Sequence, residues 1–238
     1  MNLAKRSYEK ELLDSDNIPF SDIMSTMREL NVINKLLGGH AITRKGVDFF
    51  LEKTDSERPL AIAEIGCGGG DNLTVIEHHL KKKGRQSTLT GVDMKTECIT
   101  YSRRYAADDV TWIVSDYRNL TWPGNKPDII FSSLFCHHFT DDELVDQLKW
   151  LKENSTSGFF INDLHRHYLA YYSISLLTRL FSRSQLVRHD APLSVRRSFK
   201  KRDWKKFLSA AGITHYSIKW QWAFRYLICA DNGARGNI

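Results

Sequence analysis

Cysteine is scarce in this chain and nowhere paired. Cys67, Cys98, Cys136 and Cys229 are the four in 238 residues, and no C-x-x-C spacing joins any two of them. A disulfide frame or a zinc ribbon is therefore not expected, and buried or half-buried thiols in a reducing compartment are. Long apolar runs are also missing. No stretch of about 18 uncharged apolar residues occurs, so no membrane-spanning helix is expected. The opening residues, Met-Asn-Leu-Ala-Lys-Arg-Ser-Tyr-Glu, are charged and lack the apolar centre of a signal peptide, which points to a cytoplasmic location. There is no internal repeat and no low-complexity linker. What remains, 238 residues that are 42% apolar, suits one α/β domain with a modest extension. The net charge of +6 permits an acidic partner without establishing one.

Against that background one stretch stands out, Leu60-Ala-Ile-Ala-Glu64-Ile-Gly66-Cys67-Gly68-Gly-Gly70. An apolar run broken only by Glu64 leads into four glycines in five positions. This reads as a buried parallel strand, a tight turn and a following helix. Such a turn grips nucleotide-like cofactors at the carboxyl edge of an α/β sheet. The spacing G-x-G-x-G differs from the dinucleotide fingerprint G-x-G-x-x-G. Glu64, two residues before the first glycine, would repel a pyrophosphate. It suits a ligand that carries an amino group and a sulfonium.

Two more strands end in acids. Thr88-Leu-Thr-Gly-Val-Asp93 puts Asp93 23 residues beyond Gly70, where a ribose-binding carboxylate is expected, although Asp93 also suits a helix cap. Val110-Thr-Trp-Ile-Val-Ser-Asp116 ends in Asp116, with Tyr117 behind it. A fourth strand, Pro127-Asp-Ile-Ile-Phe-Ser-Ser133-Leu134, runs into His137 and His138. The group Thr140-Asp-Asp-Glu143 that follows is a capping box. The fifth, Gly158-Phe-Phe-Ile-Asn-Asp163-Leu164, is followed by His165, Arg166 and His167.

Ahead of the first strand, residues 3–16 have roughly helical apolar spacing. A second helix, capped by Ser21 or Asp22, is expected to end at Gly38-Gly39, and a third covers 41–53. Residues 1–55 thus read as a helical cap over the mouth of the sheet, with a purely stabilising or dimer-forming extension as the alternative. After the glycine turn, Asp71 is expected to cap a helix through Lys83. Residues 166–182 form an amphipathic helix. The segment 183–206 holds nine Lys or Arg against Asp190 and Asp203. A closing hairpin is expected at 215–219 and 224–230, and a loose tail at 231–238.

The ordered set Glu64/Gly66/Gly68/Gly70, Asp93, Asp116 and the loop after strand four resembles class I S-adenosylmethionine-dependent methyltransferases over about 60–230. That resemblance implies a Rossmann-like, seven-stranded, mostly parallel sheet whose last strand is antiparallel. It implies an N-terminal helical cap at 1–55, a cofactor domain at 56–230 and a lid insertion at about 166–200. S-adenosylmethionine is the expected cofactor and S-adenosylhomocysteine its product. The implied cofactor residues are Glu64, Gly66, Cys67, Gly68, Gly70, Asn72, Asp93, Met94, Asp116, Tyr117 and Ser133, with Asp116 on the adenine amino group. More narrowly, Glu11-Leu-Leu-Asp14, Leu30-Asn-Val-Ile-Asn34 with Gly38-Gly39, and Asn162-Asp-Leu-His165-Arg166-His167 through Arg188-His-Asp190 resemble bacterial methyltransferases associated with type III polyketide synthases. This implies a phenolic or polyketide-derived hydroxyl as acceptor.

A phenol has a pKa near 10 and needs a base. Neutral imidazole suits the task, which makes His137, His138 and His165 candidates, and His167 less strongly, with Asp163 to orient one of them or position the hydroxyl. A metal held by His137, His138 and His165 is not expected, because the carboxylate set that Mg²⁺ prefers is not evident. Two other functions stay open. The basic 183–206 segment could hold RNA phosphates, although interleaved aromatics are absent. The chain could also be a non-catalytic cofactor-binding partner subunit. The apolar 166–182 helix beside the basic run also allows attraction to an anionic membrane surface.

Overall fold

The computed structural model describes residues 3–15, 17–54, 58–122 and 124–233. Seven strands form one sheet: β1 (Leu60–Ile65), β2 (Ser87–Asp93), β3 (Val110–Val114), β4 (Ile129–Ser133), β5 (Gly158–Leu164), β6 (Tyr216–Gln221) and β7 (Arg225–Asp231). Their order is β3-β2-β1-β4-β5-β7-β6. β1 to β5 run parallel, with Ile62 opposite Leu89 on one side and Ile129 on the other. β7 lies antiparallel between β5 and β6. The chain therefore has the Rossmann-like methyltransferase sheet that the sequence implies.

Strand periodicity builds the two faces. Successive side chains alternate sides, and Ala63, Ile65, Ile130, Phe159 and Ile161 share one core with Leu144, Leu148, Trp204 and Leu208. These last belong to helices α5 (Asp141–Asn154) and α8 (Lys201–Ala210). Ile62, Phe131 and Phe160 face the other way, onto Phe50, Leu73 and Ile76. That layer is made by α2 (Gly39–Leu51) and α3 (Asp71–Lys82), and the Phe131 and Phe160 rings stack across it at 4.7 Å. The strand order reverses between β1 and β4, and such a switch point opens a crevice beyond the strands' carboxyl ends.

The N-terminal segment divides in the fold. α2 joins the helical layer under the sheet, with Val47 and Phe50 fully buried. α1 (Phe20–Leu36) instead lies over the glycine turn, on α4 (Thr96–Tyr105). Pro19 occupies its N-cap position, and neither Ser21 nor Asp22 caps it. The helix expected over 3–16 does not form. The described residues 3–15 form one short 3-10 turn, Leu12–Asp14, and no α-helix, and residue 16 lies outside the described residues. Tertiary bonds outcompete local helix there. Arg6 donates to the carbonyls of His137 and Phe139, and Asp190 accepts from the backbone N–H groups of Leu12 and Leu13.

Asp71 is not a cap either. Gly70 is the N-cap of α3, and the Asp71 carboxylate accepts from Asn34 and faces His40 at 2.7 Å. The capping box of Thr140 and Glu143 is present on α5. Between β5 and α8 stand α6 (Tyr168–Phe181) and α7 (Gln185–Arg197). α6 turns Leu169, Leu176, Leu180 and Phe181 outward. α7 carries part of the basic segment, yet its arginines are engaged: Arg188 by the Ser182 carbonyl, Arg196 by Glu9, Arg197 by the His137 and His138 carbonyls. All four cysteines are buried and free. Among the described residues, no helix is long and apolar enough to cross a membrane. Asp231 closes β7. Residues 234–238 of the expected tail, and the boundary expected at 55–56, lie outside the described residues.

Candidate active site

The turn after β1 is shaped by three positive φ angles, +64° at Gly66, +50° at Gly68 and +73° at Gly70. An L side chain is disfavoured at each. Space sets two of them further apart from the third. A Cβ on Gly66 would lie 2.3 Å from the Phe135 ring, and one on Gly70 would lie 2.4 Å from Trp112. At Gly68 the nearest atom is Met27 Sδ, 3.5 Å away, so this turn keeps one clear backbone face. That face borders a cavity of about 670 Å³ at the carboxyl ends of β1, β2 and β4. Its volume is within the range of about 300–1,000 Å³ typical of small-molecule sites. Gly70 does not reach the cavity. It packs on Trp112 and starts α3.

One end of the cavity gathers the expected cofactor residues. Glu64 is 1% exposed. Its Oε1 accepts from Asn72 at 3.0 Å, and its Oε2 has no partner. Burial, and then the charge of Asp71, push this carboxyl well above the usual range. Asp93 accepts from the Gly68 N–H on one oxygen and from the Lys95 N–H on the other, both at 2.9 Å. Each of those oxygens keeps a lone pair for a ribose hydroxyl. Asp93 is thus both the brace of the glycine turn and a wall of the cavity. Asp116 also lines it, paired with Arg118, which holds its carboxyl below the usual range. Tyr117 lines it too, edge-on to Phe135 and Phe139. Cys67, Met94 and Ser133 complete this part of the wall. Beside Ser133, Leu134 holds φ of +54°, a backbone state that branched residues rarely adopt outside functional sites.

These residues fit S-adenosylmethionine. The unpartnered, buried Glu64 oxygen is matched by a cationic group, the clear face of Gly68 lets a ligand approach backbone, and Asp93 can accept from two hydroxyls.

The four expected catalytic residues are treated differently by the fold. His138 lines the cavity. Its Nδ1 is 3.0 Å from Asp14, and its Nε2 is 3.6 Å from Glu11. His137 points the other way and is 2% exposed. Its Nδ1 is 2.8 Å from Asp163, and its Nε2 is 3.4 Å from Glu11. Burial works against a charged His137, but Asp163 and Glu11 outweigh it and raise its pKa to about 9. Asp163 is wholly buried, accepting from His137 and from the Leu164 N–H, and it does not reach the cavity. His165 is likewise outside the cavity wall. It packs beside His167 and Tyr226, and burial, then the charge of His167, lower its pKa to about 4.

Two residues that sequence reasoning left without a role join this corner, Glu11 and Asp14. Glu11 is 5% exposed and faces both imidazoles. The Glu-Leu-Leu-Asp stretch was the available signal. Three residues apart on a strap with one 3-10 turn, its acids meet the loop after β4. Glu11, His137 and His138 are a group able to hold a metal ion, with ligand atoms within 4.8 Å of one another.

Residues 62–155 match the family model for a methyltransferase domain. No curated protein matches the chain by sequence. Among solved structures the fold is similar to the plantazolicin methyltransferase BpumL in complex with SAH, with a TM-score of 0.65 at 16% identity, covering 87% of this chain and 90% of that one. It is also similar to the CMeT domain of the citrinin polyketide synthase, with a TM-score of 0.60 at 14% identity over 81% of this chain and 52% of that one. A third is magnesium protoporphyrin IX methyltransferase (ChlM) from Synechocystis PCC 6803 with bound SAM, with a TM-score of 0.54 at 13% identity over 83% and 81%.

Proposed function

We propose that this class I, S-adenosylmethionine-dependent methyltransferase methylates a hydroxyl on a small, largely apolar acceptor, phenolic or polyketide-derived in class. One observation carries the reading: His138 stands on the wall of the same cavity that holds Gly68, Asp93 and Asp116. Cofactor and acceptor proton are thereby served by one enclosed space.

The cofactor, when bound, supplies an electrophilic methyl group on a sulfonium. The chain's own residues do the rest. Asp93 and Asp116 fix the nucleoside end, and Glu64 balances positive charge at the other. Holding two reactants in line removes much of the barrier by itself. Leu13, Ile18, Ile23, Met27 and Leu30, from the strap and α1, form an apolar stretch of the wall and suit a greasy ring. His138 meets the hydroxyl proton. With Nδ1–H donating to Asp14, its Nε2 is left as the acceptor, and a positioned imidazole base contributes roughly 10²–10⁴-fold. His137 and Asp163 take a positioning role, since both are buried behind that loop.

A small acceptor is favoured over RNA by the fate of the α7 part of the basic segment, where Arg188, Arg196 and Arg197 are spent on internal bonds. It is favoured too by fold neighbours that include a methyltransferase of plantazolicin and a polyketide synthase domain. The resemblance of Glu11–Asp14 and Asn162–Arg166 to methyltransferases beside type III polyketide synthases supports the polyketide class. The test is incubation of the purified chain with methyl-labelled S-adenosylmethionine and, in parallel, a panel of phenols and polyketide pyrones, and total RNA. Label in a phenol or pyrone as a methyl ether is the expected result. Label only in RNA, or none with any acceptor while the cofactor binds, contradicts the reading in favour of the RNA or partner-subunit alternatives.

A further inference from the structure

We infer that Glu11, His137 and His138 form a binding site for a divalent transition-metal ion of the Zn²⁺ type, bordering the cavity where His138 meets its wall. The geometry of the three side chains is the first ground. Both imidazoles turn Nε2 toward the one Glu11 carboxylate, at 3.4 Å from Oε1 and 3.6 Å from Oε2. These spacings are long for N–H···O bonds, which centre on about 2.9–3.0 Å. Each, to its own Glu11 oxygen, is near the roughly 3.4 Å edge of a tetrahedron with metal bonds of about 2.0–2.1 Å, and one ligand atom from each residue lies within 4.8 Å of the others.

The second ground is what lies behind each histidine. Asp163 holds His137 Nδ1 at 2.8 Å, and Asp14 holds His138 Nδ1 at 3.0 Å. A carboxylate on Nδ1 fixes the tautomer that leaves Nε2 bare. This carboxylate–histidine pairing is how metal-binding imidazoles are oriented. Here it occurs on both histidines, from two unrelated parts of the chain. Neither acid is needed for a packed histidine pair.

Charge is the third. Glu11, Asp14 and Asp163 are three carboxylates around the two rings. The nearest cationic side chain is Arg197, 3.9 Å from Glu11, and it also serves the carbonyls of Glu9, His137 and His138. Arg6 is matched by Asp141 at 3.0 Å. Three carboxylates around two rings that are neutral when they ligate suit a cation held between them. Two imidazoles and one carboxylate favour Zn²⁺ or Fe²⁺ over Mg²⁺ or Ca²⁺, which prefer oxygen. Three protein ligands leave a fourth position for water or an acceptor oxygen.

The use of the site rests on the function proposed above and deepens it. With the ion bound, the Nε2 of His138 is a ligand in place of the base assigned to it above, and an acceptor hydroxyl ionises on the cation, its proton passing to water. The oxygen then takes the methyl group as the C–S bond breaks with its electron pair left on sulfur.

The test is a Co²⁺ titration of the full chain after chelator treatment, read by visible absorption, with Zn²⁺ as competitor. Expected are one Co²⁺ per chain, the intense bands of a four-coordinate site, and their loss on adding Zn²⁺. Glu11→Gln and His138→Ala should each abolish those bands, and Asp14→Asn should weaken binding about 10–100-fold. Calorimetric binding of S-adenosylhomocysteine on the same samples reports that the variants remain folded. No stoichiometric Co²⁺ in the wild-type chain overturns the inference, as does unchanged binding in both Glu11→Gln and His138→Ala. Co²⁺ held in this way by a chain that binds no S-adenosylhomocysteine supports the site and contradicts the methyltransferase function instead.

Discussion

Two acid-rich clusters meet the cavity, one along its wall and one mostly behind His138 with Asp14 alone on the wall, and they are assembled in opposite ways. At the cofactor end, Glu64, Asp93 and Asp116 come from the last turns of three neighbouring parallel strands, in chain order. Each is held by its own neighbourhood: Asn72 beside Glu64, the Gly68 and Lys95 N–H groups on Asp93, Arg118 on Asp116. At the acceptor end, Glu11, Asp14 and Asp163 arrive from the N-terminal strap and from β5, and they converge on two adjacent histidines. The first end is local and modular, the second tertiary. A change at the first should cost cofactor affinity and leave the second intact, and the converse should hold.

The largest effect expected is at the acceptor end. His138→Ala should lower methyl transfer by about 10²–10⁴-fold, whether imidazole or a held cation deals with the proton. S-adenosylhomocysteine affinity, measured by calorimetry, should stay within error of wild type. His165→Ala is the control, since His165 lies off the cavity wall, and its rate should be near that of wild type. Equal losses in the two variants would erase the distinction between them.

Asp93→Ala should be next, and purely at the cofactor end. Two hydrogen bonds to a charged acceptor are lost to a ribose, each contributing about 1.5–3 kcal/mol. Affinity for S-adenosylhomocysteine should fall by at least about a hundredfold. Co²⁺ binding at Glu11, His137 and His138 should be untouched.

Gly66→Ala tests whether the turn is architecture as well as contact. Left-handed backbone costs an ordinary residue about 1–3 kcal/mol, and the added Cβ would also meet Phe135 at 2.3 Å. Thermal unfolding should show a lower Tm even with no ligand. Gly84→Ala, with φ of +67° but open space around it, should cost less.

The smallest effect is a pH dependence. Glu64 has its folded pKa raised by burial, so its neutral form is the one the ligand-free fold favours. An unfolded glutamate ionises near 4.3. Stability of the ligand-free chain should therefore fall as pH rises from about 4.3 toward the folded value, by at most about 1.4 kcal/mol per pH unit. Glu64→Gln should flatten that slope in urea titrations at several pH values and weaken cofactor binding. An unchanged slope would mean that Glu64 does not titrate in this window.

The same contrast explains what was legible in the sequence. β5 is found at its expected bounds because Gly158 marks its start and the apolar run Phe159-Phe160-Ile161 leads it. Glu64, Asp93 and Asp116 were readable because each stands at or within two residues of the carboxyl end of its strand. Residues 3–16 misled, because apolar spacing suggests a helix while the winning interactions, Arg6 on the 137–139 loop and Asp190 on Leu12 and Leu13, span more than 100 residues. Glu11 stayed hidden for the same reason. Its partners are over 120 residues away, and no local pattern announces them. Gly70 carried a motif position yet serves helix packing on Trp112, a distinction only the third dimension makes.

The most direct test of the whole account is a calorimetric titration of S-adenosylmethionine and S-adenosylhomocysteine into the purified chain, with NAD as control. One molecule of either of the first two per chain, with micromolar or tighter affinity on the order of −8 kcal/mol and no heat from NAD, is the predicted result. Absence of binding by both would contradict it, and the glycine turn would then be architecture without a cofactor.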